Sequence, residues 1–411
     1  MRARSWWSWR GAALVSFALA IACVHTSSES TNQPYAGTAY PSKRAPLPVF
    51  AGDYALVANY ASDTITVIDL TANQVVTSVP VGISPVDIDG PHHIAIDRGN
   101  GVAYVTLAYP SSPAAPGSHA AHHVTKRAGF VQKLSLTDLS LLGESLLDPS
   151  PAEVAVSKDG RRVAITHYDL ARAALANART EDRWATVVAV TPEDLTIQGG
   201  IDLAHFATCA APHGIVLSPP DGHYAYVACY GDDNMAIIDL ATPSNPILRV
   251  PVGMNPAVPP APPRYGPYTM AMAPDGTKIA LANTESKDVR FFDVSAHAMA
   301  AQTVATYGSA FAPVYAADGQ KLYVPSQTPD AVEAFDPATG MRKALRVFTM
   351  SECQRPAEAA LGSDASTLYV VCEGDHVTPS VVLALDATTL ATKHSFTAGV
   401  FPTRIAIGGK P

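Results

Sequence analysis

The chain has 411 residues, a formal net charge of −8, and 16% charged against 47% apolar residues. This composition is typical of a large globular protein with a well-buried core. An acidic chain without a basic run is unsuited to nucleic acid and to anionic membrane surfaces, so we expect neither as a partner.

The first 22 residues are typical of an export signal. A basic segment precedes an uncharged apolar run, Gly11 to Ala22, which is too short to span a bilayer as a permanent helix. Ala20-Ile21-Ala22-Cys23 resembles the bacterial lipoprotein box, in which the cysteine is lipidated after cleavage. We therefore predict a lipoprotein-type signal peptide over residues 1–22, lipidation of Cys23 and a flexible tether over residues 23–46. An ordinary secretory signal is the alternative.

From residue 47 onward the chain repeats one pattern of short strands. The clearest copy is Tyr54 to Gly82, where short apolar segments are separated by turn residues. A second strand of the type Leu56-Val57-Ala58-Asn59-Tyr60 recurs seven times. A first strand, usually placed after a proline, recurs at His92, Ala152, His213, Tyr268, Val314, Ala357 and Thr403.

Seven such units over residues 47–411 predict an all-β fold, a seven-bladed β-propeller. The first blade lacks its own first strand, and the chain stops just after a surplus one, Phe401 to Gly408. Pairing this C-terminal strand with the N-terminal blade would close the ring and remove its open edges. We predict that closure.

Several segments resemble the YVTN-type β-propeller repeat of bacterial and archaeal surface and periplasmic proteins. The matching segments are Leu56 to Tyr60, Thr66-Val67-Ile68-Asp69 and Ala273-Pro274-Asp275-Gly276. The resemblance covers residues 51–408 and implies the propeller fold. It implies little about function, because propellers host many different tasks.

Four cysteines beyond Cys23 predict two disulfides. Cys209 and Cys353 each lie three residues before the proline of a first strand, and Cys229 and Cys372 each end a second strand. The start of the first strand lies beside the end of the second in an antiparallel hairpin, so we predict the pairs Cys209–Cys229 and Cys353–Cys372. Disulfides fit an oxidising compartment. We therefore expect an exported, membrane-anchored lipoprotein that faces the periplasm or the cell surface.

Histidines and polar aromatic residues concentrate on one face of the predicted ring. Candidates for a ligand-binding rim on that face are His92, His167, His213, Tyr60, Tyr168, Tyr230 and Glu373. The rim histidines can alternatively be structural.

A separate insertion in the second blade contains the one histidine cluster with ligand-like spacing, His119, His122 and His123. Imidazoles of this spacing suit a divalent metal such as Zn or Cu as cofactor. A solvated loop without metal is the alternative.

The sequence contains no HExxH, GxSxG, phosphate-binding glycine loop or EF-hand pattern. This lack favours a non-enzymatic, lipid-anchored propeller that acts as a binding scaffold for an envelope protein, a glycan or a small ligand. Its membrane contact would be the lipid anchor alone. The alternative is an enzyme with a central rim site, since lactonases and haem d1-binding nitrite reductases also use propellers. Rim histidines could then serve as acid–base groups or ligands.

Overall fold

The computed structural model describes residues 44–83, 87–108, 127–195 and 204–409. These residues form seven antiparallel sheets, which are the blades of a seven-bladed β-propeller, as predicted. The signal peptide, Cys23 and nearly all of the tether lie outside the described residues, so those assignments stay predictions.

Each blade runs from an inner to an outer strand. Blade 1 contains β29 (Pro402–Gly408), β1 (Tyr54–Asn59), β2 (Thr64–Asp69) and β3 (Gln74–Pro80). Blade 2 contains β4 (Pro91–Asp97), β5 (Val102–Leu107), β6 (Ala128–Ser135) and β7 (Leu141–Pro149). Blade 3 contains β8 (Pro151–Val156), β9 (Val163–His167), β10 (Trp184–Val190) and β11 (Ala204–Ala210). Blade 4 contains β12 (Pro212–Leu217), β13 (Tyr224–Cys229), β14 (Asn234–Asp239) and β15 (Leu248–Pro251).

The remaining blades follow the same order. Blade 5 contains β16 (Pro267–Met272), β17 (Lys278–Asn283), β18 (Asp288–Asp293) and β19 (Ala298–Ala305). Blade 6 splits its inner strand into β20 (Ser309–Ala310) and β21 (Val314–Tyr315), followed by β22 (Leu322–Gln327), β23 (Ala331–Phe335) and β24 (Arg342–Val347). Blade 7 contains β25 (Pro356–Leu361), β26 (Thr367–Cys372), β27 (Pro379–Asp386) and β28 (Thr392–Val400).

Burial follows the position of a strand within its blade. The second strands are packed between neighbouring blades on both faces, and every residue of β5 is buried. Such strands are nearly continuous apolar runs, because neither face meets water. Every residue of the outer strands β3 and β24 is exposed or half-buried. The core therefore lies between the blades.

The ring closes through β29, as predicted. This strand pairs with β1 from Tyr54 opposite Gly408 to Asn59 opposite Pro402. The backbone amide of Tyr60 continues the pairing by donating to the carbonyl of Phe401 at 2.9 Å. The C-terminal strand thus supplies the inner strand that blade 1 would otherwise lack.

Helical structure is minor. The insertion of blade 3 contains α1 (Leu170–Ala173), which begins where the Asp169 side chain accepts a hydrogen bond from the backbone amide of Arg172. Short 3-10 turns cover Glu181–Arg183, Pro192–Asp194 and Tyr230–Asp232. No helix in the described part of the chain has the length and apolar character needed to cross a membrane.

Both predicted disulfides are present. Cys209 bonds Cys229 across a Cα–Cα distance of 5.9 Å, and Cys353 bonds Cys372 across 5.2 Å. Cys209 lies in β11 and Cys229 in β13, so the first disulfide links blade 3 to blade 4. The second ties the segment that leads into blade 7 to β26.

Candidate functional site

A shift of strand register sets up the site at one end of the central channel. The inner strands neighbour one another in ring order, and in blade 2 Pro91 pairs with Leu107 while the next pair is Ile94 with Val105. One extra residue of the inner strand is therefore bulged out. Equivalent shifts follow the first proline in blades 3, 4, 5 and 7, and a matching shift lies in the β1–β29 pair. Bulges redirect side chains and are frequent next to active sites.

In blades 2, 4 and 5 the residue directly after the inner-strand proline is aromatic, and these three residues, His92, His213 and Tyr268, form what we name the mouth layer. All three side chains are buried. The His92 and His213 rings meet edge to face with centroids 5.6 Å apart, and His213 stacks on Tyr268 at 3.7 Å. The closed propeller therefore brings together side chains from blades 2, 4 and 5.

Further aromatic rings surround the mouth layer. Tyr168 contacts His213 at 5.0 Å between centroids, and Phe311 contacts Tyr268 at 5.4 Å. On the other side Tyr60 contacts both His92 and Phe401. All seven blades contribute to this aromatic belt, through Tyr60, His92, Tyr168, His213, Tyr268, Phe311 and His376.

Blade 7 adds a carboxylate to the mouth. The Glu373 carboxylate lies 3.1 Å from the Nε2 atom of His376, and both residues are buried. Gln327 donates its amide to the other oxygen of Glu373 at 3.4 Å, and the His376 ring stacks on Phe401 at 3.7 Å. Burial, together with the charges of Glu373 and Glu153, holds the pKa of Tyr268 well above its ordinary value.

In blades 1, 2, 3, 5 and 7 the residue two places after the inner-strand proline contributes to a second layer, which we name the axial layer. Its members are His93, Glu153, Thr269, Glu358 and Arg404. Arg404 Nη1 lies 2.5 Å from Glu358 Oε1, a contact that joins blade 1 to blade 7. Glu153 Oε1 lies 3.8 Å from His213 Nδ1 and so connects the axial layer to the mouth layer.

Blade 4 has a glycine at the same position, and its backbone explains why. A Cβ atom on Gly214 would lie 2.7 Å from the carbonyl oxygen of Tyr268 and 2.8 Å from the Cα of Thr269. A glycine is therefore needed where the backbones of the inner strands of blades 4 and 5 approach this closely. Beside it, the backbone amide of Ile215 donates to Glu153 Oε2 at 3.1 Å, which fixes that carboxylate.

The contacts of His93, Glu358 and Arg404 determine the protonation states of these axial-layer side chains. His93 Nδ1 accepts a hydrogen bond from the backbone amide of Val154 at 3.3 Å, so its proton resides on Nε2. Burial and the positive charge of Arg404 keep the pKa of His93 well below its ordinary value, so the ring is neutral. Burial raises the pKa of Glu358, and Arg404 opposes that rise; the 2.5 Å contact with the guanidinium indicates that Glu358 is the ionised partner of this pair. Burial lowers the pKa of Arg404, but Glu358 and Glu153 raise it by more, so the guanidinium stays charged.

The predicted rim residues divide into two groups. Tyr60, Tyr168, His92 and His213 meet in the aromatic belt, and Tyr230 joins it by contacting Tyr168 at 5.4 Å. Glu373 lies at the same mouth, 3.1 Å from the Nε2 atom of His376 in the belt.

His167 instead belongs to a hydrogen-bonded group between blades 2 and 3. Its Nδ1 atom lies 3.0 Å from the carbonyl oxygen of Thr186, whose hydroxyl donates to Asp148 at 2.5 Å. Burial lowers the pKa of His167 to about 4.

Several residues of the site were not predicted from the sequence. These are His93, Glu153, Tyr268, Glu358, His376 and Arg404. A signal was available, because Glu153, Glu358 and Arg404 are single charged residues in otherwise apolar inner strands. Each of them also stands two places after a proline. Aligning the repeats on that proline would have shown the axial layer.

One cluster of metal-ligand residue types is present among the described residues, Cys209, Cys229 and Asp232. Its two sulfur atoms are bonded to each other, so they do not offer thiolate ligands. His119, His122 and His123 lie in residues 109–126, outside the described residues, and a Zn or Cu site there stays a prediction.

Fold and site define the class of the protein as a seven-bladed β-propeller with a buried cluster of acid–base side chains at one end of its channel. The family model described as "Lactonase, 7-bladed beta-propeller" matches residues 86–395, and the chain belongs to that family. The YVTN resemblance led to the correct fold, but the family shown is the lactonase family and not YVTN specifically.

Solved structures with the same fold include two bacterial proteins. The periplasmic gluconolactonase of Pseudomonas aeruginosa is 18% identical, with a TM-score of 0.62 over 88% of this chain and 100% of that one. A candidate 6-phosphogluconolactonase of Bacteroides uniformis is 14% identical, with a TM-score of 0.59 over 87% of this chain and 99% of that one. At these identities the likeness concerns the fold. No protein with a curated description matches the chain.

The family match corrects the function expected from the sequence. A binding scaffold was predicted because no linear catalytic motif is present, and that prediction is wrong: the family is one of lactonases. The error has a physical reason. The acid–base residues of this site come from separate inner strands, so no short stretch of sequence contains them together.

Proposed function

We propose that the protein hydrolyses a lactone at the mouth of its channel. The observation that carries the proposal is that a member of the lactonase family places a histidine and a carboxylate, His213 and Glu153, 3.8 Å apart beside a charged guanidinium. A histidine oriented by a carboxylate is a common general base, and catalytic contacts are often longer in unliganded proteins.

The chemistry needs one base and one group that stabilises negative charge. The His213 Nδ1 atom faces Glu153, and in this proposal the imidazole takes a proton from water as the water oxygen attacks the lactone carbonyl carbon. An N–H group of Arg404 is suited to donate a hydrogen bond to the oxyanion that develops, a role that does not need surplus positive charge. The ring C–O bond then breaks, and the leaving ring oxygen takes the proton back from His213. The products are an alcohol and a carboxylic acid, which releases its proton to solvent.

The test is a pH-indicator assay of lactone opening, with the spontaneous rate subtracted. Glucono-1,5-lactone and its 6-phosphate are the first substrates to try, because the relatives named above are described by those activities. We expect wild-type turnover, and a loss of about 10²–10⁴-fold in His213→Ala and Glu153→Gln.

The matched control is His223→Ala. His223 also lies near a carboxylate, with its Nε2 atom 3.2 Å from Asp239, but it is in the turn before β13, at the opposite end of blade 4. It should keep wild-type activity. Wild-type protein that opens neither these lactones nor simple aliphatic γ- and δ-lactones above the spontaneous rate would refute the proposal.

We further propose that the protein is exported and anchored through a lipid on Cys23. Two disulfides support an oxidising compartment, and the sequence around Cys23 resembles a lipoprotein box. Fractionation of the producing bacterium should find the protein in membranes. Cys23→Ala should release it or leave it unprocessed, and a wild-type protein recovered in the soluble fraction would refute the anchor.

A further inference from the structure

The positive charge of the Arg404 guanidinium in the channel is balanced by neighbouring carboxylates. Arg404 lies 2.5 Å from Glu358 and also interacts electrostatically with Glu153. About a quarter of the Arg404 side chain, 26%, is exposed, so it is accessible from the channel, whereas Glu358 and Glu153 are buried. Two carboxylates around one cation leave no surplus positive charge there for an anionic group of a substrate.

Carboxylates also surround the mouth layer. Glu373 lies close enough to Tyr268 to raise the pKa of its phenol, with Glu153 acting in the same direction. Further out, the Tyr230 hydroxyl donates to the carboxylate of Glu285 at 2.9 Å. A phosphate or carboxylate held near these groups would meet like charge in a partly desolvated site, which is unfavourable.

From these contacts we infer that the site selects lactones without an anionic substituent, and that Glu358 is a specificity-determining residue because it neutralises Arg404. The substrate class is an uncharged, hydroxylated lactone. Tyrosine and histidine rings combine apolar faces with polar edges, which suit the C–H faces and hydroxyl groups of such a ring. This inference rests on the proposed hydrolysis.

The direct test compares two substrates that differ only in a phosphate, glucono-1,5-lactone and its 6-phosphate, on the wild-type protein. We expect kcat/KM for the uncharged lactone to exceed that for the phosphorylated one by at least about tenfold, because like-charge contacts in a binding site are strongly unfavourable. Equal or better hydrolysis of the phosphorylated substrate overturns the inference and leaves the proposed function intact.

A variant sharpens the test. Glu358→Gln should free the charge of Arg404 and raise the relative kcat/KM for the phosphorylated lactone by about tenfold. The control is Glu333→Gln, which changes another buried glutamate paired with an arginine, Arg342, at 2.8 Å in blade 6. That variant should leave the substrate ratio at its wild-type value. A ratio unchanged in Glu358→Gln, or changed equally in both variants, contradicts the role given to Glu358.

Calorimetric titration with inorganic phosphate makes the inference testable without turnover. If neither lactone is opened, the proposed hydrolysis of these substrates fails, and the charge argument is then decided by this titration alone. Wild-type protein should show no saturable phosphate binding. Saturable binding that disappears in Arg404→Met overturns the inference, and the absence of such binding supports it.

Discussion

Two arginine–glutamate pairs of this propeller have similar chemistry and different origins. Arg404 and Glu358 come from blades 1 and 7 and meet at the channel, whereas Arg342 and Glu333 come from the adjacent strands β24 and β23 of blade 6. Glu333 is also held by the backbone amide of Tyr307 at 2.8 Å. A contact between blades depends on the closed ring, and a contact within a blade depends only on one hairpin.

The largest effect should follow from removing the closing strand. Deleting residues 401–411 takes away β29, and with it both Arg404 and the hydrogen bond from the Thr403 hydroxyl to the carbonyl of His92. The inner edge of β1 would then be unpaired. We expect no cooperative thermal transition by circular dichroism, while deletion of residues 410–411 alone should melt like the full chain. A truncated chain that melts like wild type would contradict closure through β29.

A smaller effect concerns pH and His167. Burial lowers the pKa of this side chain from 6.5 to about 4, so between these values the unfolded state binds the proton that the folded state excludes. The free energy of unfolding therefore falls as pH decreases from 6.5 to 4 and is unaffected by this group above 6.5. The free energy of unfolding of His167→Gln, measured relative to that of wild type, should therefore rise by up to about 3 kcal/mol between pH 7.5 and pH 4.

Urea unfolding of both proteins across this pH range measures that gain. The comparison at pH 7.5 is the internal control, since it contains only the cost of losing the contact with Thr186. A difference between the two proteins that does not change with pH would show that His167 is protonated in the folded state or is not buried.

The smallest predicted effects are the losses of stability on replacing each of the two arginines. Arg404→Met should destabilise the protein by about 2 kcal/mol, less than for a fully buried pair because the Arg404 side chain is partly exposed. Arg342→Met should cost about 1 kcal/mol or less, since the Arg342 side chain is 40% exposed and Glu333 keeps its bond from Tyr307. Denaturant midpoints measure both, and equal costs would remove the distinction drawn between the two pairs.

Much of the fold could be predicted from the sequence because it depends on local patterns. Strands and turns recur with a regular spacing, and the surplus strand after Phe401 indicates the closure. The disulfide pairs followed from the antiparallel hairpin, although Cys209 proved to belong to the last strand of blade 3. Tyr60, His92 and His213 stand at strand ends that face the channel mouth, and their part in ligand binding stays a prediction.

What the sequence determined by itself is therefore the repeat, the number of blades, the closure and the cysteine pairs, all of which follow from residues close together along the chain or from counting strands. The site was decided by the tertiary structure. Glu153, Glu358 and Arg404 are more than 40 residues apart from one another along the chain, and they meet because the closed ring brings the bulged starts of their strands to one axis. The charges of these three side chains depend on their proximity to one another, and the proposed chemistry depends on those charges.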